Sequence, residues 1–168
     1  IDQPIKISNN QNLPELKPST GSIKFSNVSF KYENSNDKAI KNINLDIKGG
    51  TIAAFVGHSG AGKSTIINLL PRFYDPQSGE IFIDQQNTKS VNLNSLRKSI
   101  SLVSQDVILF DSSVKNNILY ANEDATEEEF INSCKFAAAE EFIQDLPQKH
   151  DTLIGENGMR LSGGQKQR

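Results

Sequence analysis

Apolar residues change their spacing several times along this chain, and each change predicts a different element. In "SIKFSNVSFKY" they fall at Ile23, Phe25, Val28, Phe30 and Tyr32. That period of two, interrupted near Ser26–Asn27, predicts a half-buried strand with a bulge. After the turn-rich "ENSND", the run "AIKNINLDIKGG" alternates again at Ile43, Leu45 and Ile47 before a Gly-Gly turn, a second strand of the same kind. "TIAAFVG" (51–57) is apolar without a break, the pattern of a strand buried on both faces of a parallel sheet. "STIINLL" predicts a helix ending near Pro71, "DPQSGEIFID" a turn and a strand, "NSLRKS" a short helix, and "ISLVSQ" a further buried strand. In "TEEEFINSCKFAAAEEFI" the spacing of Thr126 and Glu129 predicts a capping box, and Ile131, Cys134 and Ala138 fall on one helical face.

These elements predict an α/β fold with a parallel-sheet core, an N-terminal antiparallel β subdomain, and a helical subdomain over about 106–160. Residues 1–20 are polar, carry three prolines and hold no sustained period, so they read as a linker ahead of a domain covering 21–168.

Composition narrows the function classes. With 168 residues the chain is long enough for one domain with a real core, and 36% hydrophobic and 23% charged residues fit a soluble globular protein. A net charge of −2 gives no overall basic bias toward nucleic acid or an anionic membrane. The single cysteine, Cys134, excludes an internal disulfide and a cysteine-based metal cluster, and points to a reducing, cytosolic setting. No apolar run reaches the roughly 20 residues of a membrane helix, and no signal peptide is visible. The chain opens on Ile1, its only methionine is Met159, and it closes on "LSGGQKQR", which looks like the start of a helix. Both ends therefore read as cut from something longer.

The chemistry begins at "GHSGAGKST", Gly57 to Thr65, which fits G-x-x-x-x-G-K-[ST] between an apolar strand pattern and a helix pattern. Glycines at 60 and 62 let the backbone turn its N–H groups inward around phosphate oxygens. A helix opening near Lys63 aims its positive end at the same anion. Lys63 is placed to reach the β- and γ-phosphates, and the Ser64 hydroxyl to ligate Mg²⁺. His58, Ser59 and Ala61 occupy variable slots of the loop. His58 reads as solvent-facing or satisfied by backbone rather than catalytic.

A phosphate loop names a ligand class shared by many machines. "LSGGQ", Leu161–Gln165, matches the signature of the ATP-binding-cassette (ABC) ATPases, and the order of other motifs resembles that family's exporters. "VSFKY" ends in Tyr32, similar to the family's A-loop aromatic. "SLVSQD" places Gln105 as in its Q-loop. "TLIGENG" (152–158) is similar to the exporter X-loop, and "LFDSSVKNNI" and "AEEFIQDLP" resemble the exporter helical subdomain. The resemblance runs from about Gly21 to Arg168.

It implies that the chain binds ATP with Mg²⁺, with Tyr32 on the adenine, Gly57–Thr65 around the phosphates, Lys63 and Gln105 as catalytic-site residues, and Ser64 and Gln105 at the metal. It implies a second nucleotide-binding domain docked head-to-tail, so that Leu161, Ser162, Gly163, Gly164 and Gln165 serve the partner's nucleotide. It also implies a transmembrane domain preceding residue 1 and a place on the cytoplasmic face of a membrane, exporting a substrate by ATP hydrolysis.

Taken alone, Tyr32 reads as a strand aromatic packed in a core, Gln105 as a surface glutamine, and Ser162 as an ordinary helix N-cap. The family's Walker B carboxylates and switch histidine follow the signature and have no counterpart in this chain. Asp84 in "EIFID" precedes the Q-loop and is followed by Gln85, so it reads as the end of an edge strand. His150 precedes the signature and cannot be the switch histidine. The chain alone is therefore expected to lack hydrolysis, its general base being absent. A DNA-maintenance ATPase would separate Lys63 from Leu161 by a long coiled coil, and no heptads occur between them. A non-hydrolysing binding module is the other alternative, and a GTPase is disfavoured because no Asn-Lys-x-Asp motif is present.

Overall fold

A computed structural model describes residues 7–168. The chain forms two compact units, one ending at Ser101 and one running from Leu102 to Arg168.

The first unit is built on a four-stranded antiparallel sheet in the order β2-β1-β3-β4. Its strands are β1 (Ile23–Phe30), β2 (Ile40–Ile47), β3 (Ser78–Ile83) and β4 (Gln86–Asn87). The alternation read from sequence sets the register: Phe25 faces Leu45 on β2 and Ile81 on β3, and Ile23 faces Ile47 and Ile83. The interruption at Ser26–Asn27 is a register shift in both pairings, with Asn27 at φ 50°. Gly79 sits against it. A Cβ at that position would overlap the carbonyls of Ser26 and Asn27, so the bulge requires a glycine opposite it.

One face of the sheet carries helix α1 (Lys63–Leu69), whose Ile66 and Leu69 bury against Phe25, Val28, Phe30, Ile40 and Ile81. Helix α2 (Leu93–Lys98) is capped by Asn92, whose side chain accepts from Asn94 N–H and Ser95 N–H, and it packs Leu93 and Leu96 with Ile83 and Val91.

The segment before β1 is docked over residues 7–22. Leu16 is buried in the cluster around Leu96. Its N–H donates to Ser95 Oγ, Lys17 exchanges two hydrogen bonds with the Gln86 side chain, and Asn92 N–H donates to Pro14 O. Asp84 is the hub. It occupies the β3–β4 hairpin turn with Gln85, both at positive φ as that turn type demands. Its carboxylate accepts from the N–H groups of Ser19, Thr20, Gly21 and Ser22 and from the Thr20 and Ser22 hydroxyls. The Thr20 hydroxyl and the backbone donors of Ser19, Gly21 and Ser22 hold this carboxyl far below the usual carboxylate range.

Two expectations are corrected. Residues 51–57 form no strand, and Ile52 and Val56 are fully exposed, while 100–105 is likewise irregular with Val103 70% exposed. A strand buried on both faces needs neighbours for its N–H and C=O groups. Among the described residues every strand pairing is antiparallel and none involves these segments. The parallel core expected from the apolar runs is thus not formed among them.

The second unit is helical: α3 (Val114–Leu119), α4 (Glu127–Phe136), α5 (Glu140–Gln144) and α6 (Gly163–Gln167). Its core joins Val114, Phe130, Cys134, Ala139, Ile143 and Ile154. The Thr126–Glu129 capping box is present in both directions. Ala138 does not lie on the buried face with Cys134. Helix α4 ends at Phe136, and Ala138 takes φ 52° as an exposed closing residue. Its N–H donates to Lys135 O and that of Ala139 to Cys134 O, the paired bonds of a Schellman cap, which turn Ala139 into the core instead. No helix among the described residues is long and apolar enough to cross a membrane.

Candidate functional site

In the first unit, the loop from Gly57 runs directly into α1. Gly60 and Gly62 stand at φ 81° and 87°, and Gly62 is the N-cap. A Cβ on Gly62 would come within 2.6 Å of Ala39 O, so the loop closes on the strand beside it only with glycine there. The helix has no side-chain cap and no acidic residue in its first turn. Its first intrahelical bond is Ile66 N–H to Gly62 O, which leaves the N–H groups of Lys63, Ser64 and Thr65 pointing out of the helix end. These are the groups that hold an oxyanion at a helix N-terminus.

Lys63 extends back along the loop, and its ammonium donates to Gly57 O and His58 O, both at 2.8 Å. Those carbonyls hold the positive charge over the loop mouth. His58 is exposed and its Nδ1 is within hydrogen-bond distance of Ser59 O. Ser59, Ala61 and Ser64 are exposed, whereas Thr65 is buried under the sheet. The Ser64 hydroxyl is a hard oxygen donor beside the outward-pointing N–H groups, a donor type that suits Mg²⁺, an ion that takes few protein oxygens.

Tyr32 lies just past β1 and is half-buried. Its ring packs edge-on with Phe30 at 4.8 Å and with Tyr74 at 5.1 Å, and its hydroxyl lies 3.1 Å from Thr65 Oγ1. The residue thus ties the strand end to the phosphate-loop helix. It borders a cleft of about 430 Å³ whose walls include Phe30, Lys31, Phe73, Tyr74 and Asp75. Nothing in the sequence near Tyr74 signals its place beside Tyr32. It lies far from Tyr32 along the chain, and only the turn after α1 brings it there. Arg72 builds that turn through a bidentate pair with Asp75, both bonds at 2.9 Å.

The second unit carries the other candidate residues. Gln105 is exposed in the irregular segment 100–107. Ser162 caps α6: its Oγ accepts from Gln165 N–H, and Gln165 Oε1 accepts from Ser162 N–H. Leu161 packs on the core, and Lys166 donates to Asn157 O, fixing the helix to 152–158. Gly163 and Gly164 have ordinary negative φ, and a Cβ on either would meet nothing within 4 Å. Among the described residues nothing in the packing asks for glycine at these two positions, where each costs about 1 kcal/mol of helix stability against alanine.

The family model for ABC transporters matches residues 40–168. The chain belongs to the ABC transporter family. A Staphylococcus aureus relative named as a multidrug export ATP-binding/permease protein is 49% identical over all 168 residues. ABC transporter B family member 2 of Dictyostelium discoideum is 50% identical over 149 residues, 88% of this chain. This ABC chain spans 29% of the staphylococcal protein and 11% of the slime-mould one. Among solved structures, a bacterial Atm1-family ABC exporter with ATP bound superposes on 98% of it with a TM-score of 0.91 at 41% identity, over 29% of that exporter's chain.

Proposed function

We propose that this chain is the ATP-binding segment of an ABC exporter. One observation carries the reading: a glycine loop at positive φ opens straight into an uncapped, acid-free helix end, with the Lys63 ammonium held over it. The nucleotide's β- and γ-phosphates would lie on the N–H groups of this loop, with Lys63 turned from Gly57 O and His58 O toward them. Mg²⁺ on the Ser64 hydroxyl would neutralise the phosphate oxygens. Tyr32 would stack on the adenine at the cleft beside Tyr74. The ATP bound in the Atm1-family neighbour supports the same ligand here.

The signature would act on a second nucleotide-binding domain. Gly163 and Gly164 keep open space where side chains would stand, which supports close approach by a group from outside the chain, and Ser162 would add a hydroxyl there. A transmembrane domain in the whole protein would then couple closure and hydrolysis to export, with this segment on the cytoplasmic face. The 168-residue chain alone would not turn ATP over. Asp84 is committed to residues 19–22 and His150 to Glu140, so neither is available as the base.

Calorimetric titration with MgATP and with adenosine tests the phosphate assignment. MgATP should bind and adenosine should bind at least about tenfold more weakly, the loss of charge-assisted bonds to the loop. Equal affinities would remove the phosphate loop from the account.

A further inference from the structure

Away from the nucleotide site, the helical unit brings three metal-ligating side chains to one point. Cys134 sits near the end of α4, Glu140 opens α5, and His150 lies in a 3-10 turn at Lys149–Asp151. The thiol sulfur, a carboxylate oxygen and an imidazole nitrogen all lie within 4.8 Å of one another. We propose that Cys134, Glu140 and His150 form a binding site for a zinc-class divalent cation, with water as the fourth ligand.

The chemistry fits at each step. Sulfur, nitrogen and oxygen donors in one place suit a borderline-soft ion, whereas Mg²⁺ and Ca²⁺ prefer oxygen alone. A tetrahedral zinc with its usual bond lengths separates its ligand atoms by roughly 3.3–3.6 Å. His150 Nε2 and Glu140 Oε2, now 2.9 Å apart, must open slightly, and the sulfur must close by up to roughly 1.5 Å, within side-chain rotation.

The outer shell is in place. Gln144 donates to Glu140 Oε1 at 2.7 Å, which orients the carboxylate and leaves Oε2 for the ion. The Phe130 ring lies edge-on to the imidazole at 5.1 Å and fixes its plane. The Cys134 thiol, which burial and the Glu140 carboxylate push up, gives its proton to solvent as the metal binds. The charge then balances: a dication with one thiolate, one carboxylate and a neutral imidazole sums to zero, as a buried site requires. Cys134 is 2% exposed, but the His150 and Glu140 side chains retain 17% and 20%, which gives an ion a way in. Bound there, it would staple the α4–α5 turn to the segment leading toward the signature.

The single cysteine makes the test specific, because any thiolate-to-metal absorption must come from Cys134. The full 168-residue chain, stripped with chelator and kept in excess Mg²⁺, is titrated with Co²⁺. The expected result is one equivalent bound, a near-ultraviolet thiolate-to-cobalt band, and a higher melting temperature. His150→Gln and Glu140→Gln should each weaken Co²⁺ binding by about 100-fold, the top of the range for losing even an outer-shell partner. Absence of the band at saturating Co²⁺, or a band unchanged in His150→Gln, would overturn the site and leave a plain His–Glu pair beside a thiol. Should the variants fail to fold, alkylation of Cys134 in the unaltered chain decides. Zn²⁺ should slow it at least tenfold and Mg²⁺ should not, and equal rates with Zn²⁺ and Mg²⁺ would overturn the proposal.

Discussion

Tyr32 has two jobs in this account, and two substitutions separate them. Its hydroxyl lies 3.1 Å from Thr65 Oγ1, while its ring packs on Phe30 and Tyr74 and would offer a face to adenine. Tyr32→Phe removes only the hydroxyl. The loss is one neutral hydrogen bond to a buried threonine, about 0.5–1.5 kcal/mol of stability, or roughly 2–4 °C in melting temperature for each kcal/mol. The base contact survives, so MgATP affinity should change little. Tyr32→Ala also removes the ring. It forfeits two edge-on aromatic contacts worth about 0.5–1.5 kcal/mol each in the fold. It also loses adenine stacking of roughly 1–3 kcal/mol, which is about 5–150-fold in affinity. Titration calorimetry with MgATP, run where circular dichroism shows each variant folded, reads the affinities. An alanine variant with wild-type affinity would make Tyr32 a packing residue only. A phenylalanine variant that falls as far as alanine would show that the hydroxyl, not the ring face, matters to the nucleotide.

Three further outcomes are expected. Asp84→Asn should free the leading segment, seen as faster hydrogen exchange at Ser19–Ser22. Because the folded carboxyl is depressed, its contribution is fully present above the ordinary carboxylate range and is lost progressively as pH falls below it, so wild-type protection should hold at about pH 6 and weaken as the solution is acidified below about pH 4. Ile143→Ala should destabilise the helical unit by about 2–5 kcal/mol, since this fully buried side chain fills the core with Phe130 and Ile154, and chemical denaturation measures it. In the complete transporter, Ser162→Ala should leave ATP affinity of a single nucleotide-binding domain unchanged while ATP turnover by the dimer drops by about 10–150-fold, the loss of one charge-assisted bond. A matching fall in single-domain affinity would place the signature in cis.

What the sequence conveys depends on how local each signal is. The β1 bulge, the Ser162 cap and the Thr126–Glu129 box involve residues within a few positions of one another, and the structure shows them where spacing puts them. The glycine loop that opens into α1 is legible for the same reason, because nine consecutive residues carry both its glycines and its lysine. Signals that need a distant partner are not legible. Asp84 contacts residues more than sixty positions away, and nothing in "EIFID" announces that its aspartate serves Ser19–Ser22. Tyr74 joins Tyr32 only through the Arg72–Asp75 turn. "TIAAFVG" shows the opposite failure: an apolar run states what could be buried, but pairing decides whether a strand forms. Ala138 fails through local backbone strain, because a left-handed closing residue stops α4 before the face it was assigned to.

The central claim is that this chain holds ATP by its phosphates in the loop at Gly57–Thr65. Calorimetric titration of MgATP into the wild-type chain and into Lys63→Ala, with both melting curves in hand, tests it most directly. The ammonium lies at the mouth of the loop on two carbonyls and contributes the loop's only mobile positive charge. Its removal should cost about 1.5–3 kcal/mol, a fall of roughly 10–150-fold in affinity, with the fold intact. Equal affinities for the two folded proteins would contradict the account.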